Sequence, residues 1–405
     1  MKSTVLCADI GTTSLKAGLI GGCGEVAAFS QRTFRNPDDE HAALAWLPAL
    51  CSAVREMSAE GTADIRAVCI SGNGPTIVSE DGTTLLWNAD IPPAEMTGSP
   101  AEKSLFIPRL LAFRTLFPSR WDSSRYVYSG PEFLIHQLCG GSVTILPESR
   151  YAESYWTKTQ LLSVSLPEEK LPPFVPVAYN AGNTLPEITV QLSLPHPVPV
   201  FCCGPDFVAA MVGTNSLAPG KLYDCAGSSE GVNLCTAVPV TGKGLLSLPS
   251  VVPDLWNAAV MQAESGRMFV NFKRIVEAIE ERSISYEELI SGCISNPGSD
   301  GFEILEFVAN NLKKSIKLLF DAAAENGLHV ELPVVVTGGQ AKSGQWMQMK
   351  CNYAGVPLAV CNCPDAELIG DAVIAQTGLG TYRSIKDAAD AIVKITKVYT
   401  PESAG

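Results

Sequence analysis

The chain lacks any long basic run. No stretch of Lys or Arg exceeds two residues and the formal net charge is −13, which argues against a protein whose main work is gripping nucleic acid or anionic lipid. It also lacks an apolar leader. The run from Met1 to Leu6 reaches Asp9 too soon for a signal peptide or a membrane span, so a cytoplasmic protein is expected, with neither nucleic acid nor membrane as partner. A disulfide or zinc framework is missing too. The 13 cysteines are odd in number and lie in apolar runs such as Val200-Phe201-Cys202-Cys203, as reduced core thiols do. Cys361 and Cys363 come closest to a metal pair, but one intervening residue and no second group of Cys or His argue against zinc. Acidity leaves room for an anionic cofactor, because backbone amides, a few cations and a metal ion hold phosphate locally.

What is present is enough chain for more than one core. The 405 residues imply two or three domains. Strands are expected at Val5 to Ile10, Leu15 to Ile20 and near Glu25 to Ser30, joined by Gly11-Thr12-Thr13-Ser14 and Gly21-Gly22-Cys23-Gly24 as an antiparallel meander. Helical periodicity follows over Ala42 to Met57, and the β-branched run Ile65 to Ile70 ends at Ser71-Gly72-Asn73-Gly74. Prolines from Pro167 to Pro199 make that stretch extended and non-helical, with a lobe boundary at its end. The expected division is 1–197 and 198–405. Strand Val198 to Cys203 then opens a second α/β unit, and Lys221 to Cys235 repeats the strand, small-residue turn and strand of the first. The apolar positions Ile304, Val308, Leu312, Ile316, Leu319 and Ala323 recur at helical spacing and read as core.

Four constellations carry chemistry. In Ala8-Asp9-Ile10-Gly11-Thr12-Thr13-Ser14-Leu15-Lys16 a carboxylate ends a buried strand before a hairpin of small hydroxyl residues. Such a turn aims amides and hydroxyls at phosphate, and Asp9 is placed to hold Mg²⁺ through waters; an ordinary hairpin has the same sequence. Because a strand and not a helix follows, the dinucleotide fingerprint fails. In Gly204-Pro205-Asp206-Phe207, Asp206 ends a strand before the helix Val208 to Val212, where it serves either as a general base or as a helix cap. Asp224-Cys225-Ala226-Gly227-Ser228-Ser229-Glu230-Gly231 mirrors the first hairpin. In Val334-Val335-Val336-Thr337-Gly338-Gly339-Gln340-Ala341-Lys342 two glycines let the backbone approach a flat ligand before a helix at Gln345 to Tyr353.

Taken in order, these motifs resemble the FGGY carbohydrate kinases of the actin-like ATPase superfamily, especially the xylulokinase type, over about residues 5 to 380. Ile70-Ser71-Gly72-Asn73, Leu171-Pro172-Pro173 and Glu367-Leu368-Ile369-Gly370-Asp371-Ala372 add to the likeness. The resemblance implies two ribonuclease H-like α/β lobes, each a mixed sheet flanked by helices, around an ATP and substrate cleft. It implies a transferase using ATP and Mg²⁺, with a sugar or polyol as acceptor and a xylulose-like ketose as the first guess. Asp206 is then the base and a substrate contact beside Asn73. Asp9 positions the metal-bound nucleotide, Gly11, Thr12, Thr13 and Lys16 meet phosphate with Gly227, Ser228 and Ser229, and Gly338, Gly339 and Gln340 flank the nucleoside. A homodimer is left open. The departures lie on the substrate side. Asn73-Gly74-Pro75-Thr76 lacks the Gln and His of relatives, and Trp87-Asn88-Ala89-Asp90-Ile91-Pro92 has a displaced aspartate and no arginine where the family carries Trp-x-Asp-x-Arg. The chain is also short for the family. A changed pocket implies another substrate, or a nucleotide- and metabolite-binding regulator without phosphotransfer.

Overall fold

A computed structural model describes residues 3–58, 64–93, 96, 98–227, 229–262 and 265–402. The chain forms two units, Met1–Gly213 with Glu367–Ile392, and Thr214–Ala366 with Val393–Gly405. The strands of the first are β1 (Ser3–Ile10), β2 (Ser14–Gly21), β3 (Val26–Thr33), β4 (Asp64–Gly72), β5 (Ile77–Ser79), β6 (Thr84–Leu85), β7 (Val127–Ser129), β8 (Thr144–Leu146), β9 (Phe174–Pro176), β10 (Gly182–Asn183) and β11 (Pro199–Pro205). Its main sheet has six strands in the order β10-β11-β4-β1-β2-β3, while β5 to β7 and the β8-β9 pair form two small sheets.

The meander read from the sequence is there. β1 pairs antiparallel with β2, and β2 with β3, whereas β4 lies parallel to β1 and β11 parallel to β4. β1 is buried from Thr4 to Ile10 without alternation, as expected of an inner strand covered on both faces. Helix Trp46–Ser58 covers one face with Trp46, Leu50, Val54 and Met57, spaced three or four residues apart.

The second unit contains β12 (Lys221–Ala226), β13 (Glu230–Thr236), β14 (Leu246–Pro249), β15 (Trp256–Gln262), β16 (Glu331–Thr337), β17 (Leu358–Cys361) and β18 (Ile395–Tyr399). They form one sheet of seven strands, β14-β15-β13-β12-β16-β17-β18. Within it β15-β13-β12-β16-β17 repeats the order and sense of β3-β2-β1-β4-β11: two antiparallel neighbours on one side of the hairpin strand, two parallel ones on the other. Helix Asp300–Glu325 packs on this unit through Val308, Leu312, Ile316, Leu319 and Ala323, all buried, with Ile304 at the margin.

Three expectations stand differently in the molecule. Strand Val198 to Cys203 does not open the second unit: as β11 it hydrogen-bonds to β4 and is the fifth strand of the first sheet, the counterpart of β17. The observed division therefore falls after Gly213 and not at 197/198, and Glu367–Ile392 returns to the first unit. The proline-rich stretch is not wholly extended either. Pro186 opens the short helix Pro186–Gln191, a position where the missing N–H costs nothing.

Helix Ala366–Gly378 approaches helix Asp206–Gly213 very closely at Gly370, where a Cβ would collide with the Ala209 carbonyl. All 13 cysteines are free thiols, and no helix among the described residues is long and apolar enough to cross a membrane.

Candidate active site

Three parallel strands bring the first two motifs together. Ile10 of β1 is level with Gly72 of β4, and Gly72 is level with Pro205 of β11. The next residues, Gly11, Asn73 and Asp206, thus leave adjacent strands at their C-terminal ends, the edge where open α/β sheets present ligands. The Asn73 amide donates to the Ile10 carbonyl at 2.9 Å, which fixes the spacing.

Around the first hairpin, Asp9 is 3% exposed at the end of β1 and sits 3.6 Å from the Lys16 ammonium, its register partner on β2. The Gly11 amide closes the turn on the Ser14 carbonyl at 2.9 Å, while the Thr13 carbonyl accepts the Phe34 amide at 2.9 Å. The Thr12 hydroxyl oxygen accepts the indole N–H of Trp87 at 3.0 Å. Thr13 is exposed and Thr12 half-buried, so both hydroxyls remain within reach of a ligand.

Asp206 is the first residue of helix Asp206–Gly213, and its Oδ1 accepts the Phe207 amide at 2.8 Å. An acidic group in a first helical turn also gains from the helix dipole. Burial nevertheless raises its pKa to about 8, with Asp9 and Glu367 adding to the rise and the Phe207 amide and Lys16 opposing it. Burial likewise pushes Asp371 well above the usual carboxylate range, with Asp9 next in effect, although Ser71 Oγ donates to it at 3.1 Å and Cys69 Sγ at 3.6 Å. Asp9, Asp206, Glu367 and Asp371 therefore lie close enough for each carboxylate charge to be felt by its neighbours, and each added negative charge is unwelcome.

In the second unit the hairpin between β12 and β13 meets the strand-to-helix turn after β16. Cys225 is level with Thr337, and Gly338 has φ of 92° and lies so close that a Cβ would stand 2.6 Å from the Ala226 carbonyl. Only glycine tolerates both conditions. Gln340 ties the two turns together, its Nε2 donating to the Gly227 carbonyl at 3.3 Å while its Oε1 accepts the Trp346 indole N–H at 3.1 Å. The Gly227 amide donates to the Ser229 carbonyl at 2.9 Å. Gly339 begins the turn Gly339–Lys342, with open space beside its Cα. Ser228 lies outside the described residues.

The sequence reading missed Lys350. On helix Gly344–Ala354 it reads as a solvated position, yet its side chain is 0% exposed, 3.4 Å from Asp224 Oδ2 and hydrogen-bonded to Glu230 Oε1. Ser265 Oγ donates to the other Glu230 oxygen. Burial raises the Asp224 pKa, and Glu230 raises it further, more than Lys350 lowers it. Burial also pushes Glu230 upward, but there Lys350, Asp224 and Ser265 prevail and hold it below the usual range. Lys350 thus pins both strands of the hairpin to the helix that follows Gly338, with negative charge favoured on Glu230 over Asp224. A short apolar sequence around one lysine, Trp346-Met347-Gln348-Met349-Lys350, was the available signal.

The donor groups suit a magnesium nucleotide. Among the described residues no three His, Cys, Asp or Glu side chains converge as a metal-ligand set. Mg²⁺ commonly keeps its waters and takes one or two carboxylates, of which Asp9 could supply one, and a divalent cation there would favour ionised Asp206 and Asp371, whose pKa values are raised first by burial and next by Asp9.

No family model matches the chain. The xylulose kinase of Staphylococcus epidermidis is 21% identical over 482 aligned positions, covering 100% of this chain and 93% of the relative. That of Bacillus subtilis is 20% identical over 480 positions, covering 98% and 93%. Since these alignments are longer than the 405-residue chain, stretches of the relatives have no counterpart here. Among solved structures, the ligand-bound xylulose kinase and the gluconate kinase of Lactobacillus acidophilus superpose with TM-scores of 0.76 and 0.77 at 14% identity, each over 99% of this chain and 94% of the other. The α/β fold is that of these kinases, a mixed sheet flanked by helices in each unit. The full-length alignments narrow the likeness: over its whole length the chain is similar to xylulose kinases.

Proposed function

We propose that the chain is an ATP-dependent carbohydrate kinase in which Asp206 takes the proton of a sugar or polyol hydroxyl as that oxygen receives the γ-phosphate of ATP. The observation that supports this most is the position of Asp206 beside Asn73 and Gly11 at three adjacent strand ends, with a pKa of about 8. A base should have a proton affinity near the working pH, and an ordinary surface aspartate does not. ATP supplies the phosphoryl group when bound. Asp9 would hold its magnesium, the hydroxyl of Thr12 and the amides of the Gly11–Ser14 turn would meet phosphate oxygens, and Gly227, Ser229, Gly338, Gly339 and Gln340 would take the remainder of the nucleotide.

Aldoses, ketoses and polyols are the acceptor class, with a xylulose-like ketose first, because relatives carry that name over the whole chain. The test is ADP release and sugar-phosphate formation over a panel of pentoses, hexoses, aldonates and polyols, run beside Asp206→Asn. One acceptor should raise turnover well above the rate with ATP alone, and the variant should abolish the increment. Absence of phosphorylated product across the panel, or full activity in the variant, rejects the proposal.

A further inference from the structure

The segment after β6 departs from the family pattern by having no arginine, and the structure supplies one from elsewhere. Arg109 of helix Ile107–Leu116 donates through Nη1 to the carbonyls of Leu86 and Ala89, at 2.9 and 2.7 Å. The two carbonyls flank Trp87 and are drawn into one turn by the Ala89 amide, which bonds to Leu86 at 3.1 Å. Trp87 is thereby fixed at its backbone, and both of its N–H groups are committed. The amide donates to Thr76 Oγ1 at 3.1 Å and the indole to Thr12 Oγ1 at 3.0 Å.

The direction of each proton follows. Thr76 accepts from Trp87 and donates to Asn73 Oδ1 at 2.8 Å. Asn73 is 4% exposed, the Thr76 bond sets its amide orientation, and Nδ2, buried and without a partner among the described residues, is left as the donor. At the other end Thr12 accepts the indole N–H, and its own hydroxyl proton remains for an acceptor. A single tryptophan therefore orients one donor beside Asp206 and one on the first hairpin.

We infer that Trp87 is a positioning residue that sets the Asn73 amide toward an acceptor-sugar hydroxyl and the Thr12 hydroxyl toward a phosphate oxygen, so that the two ends are aligned together. The inference rests on the kinase reading for the identity of the ligands. Neither donor depends on its partner's charge, so the effect is one of geometry, where a small misplacement lowers the rate disproportionately.

The experiment compares wild type, Trp87→Phe, Thr76→Ser and Thr76→Val. It measures thermal stability, calorimetric affinity for a non-hydrolysable ATP analogue, and the KM for acceptor with the ratio of sugar phosphate to ADP. Phe keeps an aromatic ring, though a smaller one, and deletes the indole donor. It should weaken the analogue by about fivefold, as expected of one hydrogen bond, lower the product ratio, and leave the melting temperature within about 2 °C. Thr76→Val should raise the acceptor KM by about tenfold with analogue affinity little changed, and Thr76→Ser should restore it. Analogue affinity within twofold of wild type in Trp87→Phe, or an equal loss of every parameter together with stability, overturns the inference. If Trp87→Phe does not fold, Arg109→Lys is read by the same criteria. If wild type phosphorylates nothing in the panel, the kinase reading fails by itself, and analogue affinity still decides the role of Trp87.

Discussion

Lys350 and Asp224 are both fully buried with Nζ and Oδ2 only 3.4 Å apart, yet they do not form a simple ion pair. Glu230 holds the same ammonium and the stronger claim to the negative charge, its pKa held down while that of Asp224 is raised by burial and by Glu230. Lys350→Met removes the one cation that two buried carboxyl groups share. Losing one partner of a buried pair typically destabilises by about 3–5 kcal/mol. The variant should therefore lose a large part of its stability in urea unfolding, and adding Glu230→Gln should recover some of the loss, because it removes the charge left unpaired. A single-variant loss below about 1 kcal/mol would mean that the cluster is open to water, where such pairs contribute little.

Asp206→Asn separates chemistry from binding. The amide keeps the size of the side chain and its contact with the Phe207 amide but accepts no proton. Turnover should fall by about 10²–10⁴, the range for loss of a general base, with affinity for an ATP analogue nearly unchanged. In wild type the basic form is required, so kcat/KM should rise with pH through about 8 in the free enzyme. Lys16→Met removes a charge that favours ionised Asp206 and should shift the profile to higher pH. A profile unchanged by this substitution would disconnect Lys16 from the base.

Gly370→Ala tests the close approach of the returning helix. The added Cβ points at the backbone carbonyl of Ala209, not at a flexible side chain, so the helices Asp206–Gly213 and Ala366–Gly378 must separate. Overpacking of this kind costs about 1–3 kcal/mol. Because one of these helices begins at Asp206, activity should fall by more than the loss of folded protein explains, measured at a temperature where the variant is still native. Wild-type activity and stability together would show that the approach is not tight.

The hairpins were legible because glycines and small hydroxyl residues interrupt β-branched runs at Gly11-Thr12-Thr13-Ser14 and around Gly227, a local signal that needs no knowledge of the rest of the chain. The buried stripe from Val308 to Ala323 was legible for the same reason. Pairing of β11 with β4 was not, since more than a hundred residues separate them and a strand between prolines carries no mark of its neighbour. Return of Glu367–Ile392 to the first unit is equally non-local. Arg109 was invisible because its ligands are backbone carbonyls, which no side-chain pattern encodes. Lys350 was passed over because lysine ordinarily faces water, and the rule fails where two carboxyl groups are buried with it.

Asp371 carries a prediction about stability and pH whose sign is set by burial. Its folded-state pKa lies well above the usual carboxylate value, while in the unfolded chain it returns to about 3.9. Between those values the folded state binds more protons than the unfolded state, so stability declines as pH rises. Raised values at Asp206 and Asp224 act in the same direction. Asp371→Asn keeps an acceptor for Ser71 Oγ, which donates at 3.1 Å, and removes the ionisation. Relative to wild type the variant should gain stability as pH increases from 5 to 9, and the wild-type fall in melting temperature over that range should shrink by about 1 °C for each kcal/mol of this linkage in a protein of this size. Scanning fluorimetry of both proteins in matched ionic strength reads this directly. Parallel curves would mean that Asp371 titrates alike in the folded and unfolded protein, against the burial seen here.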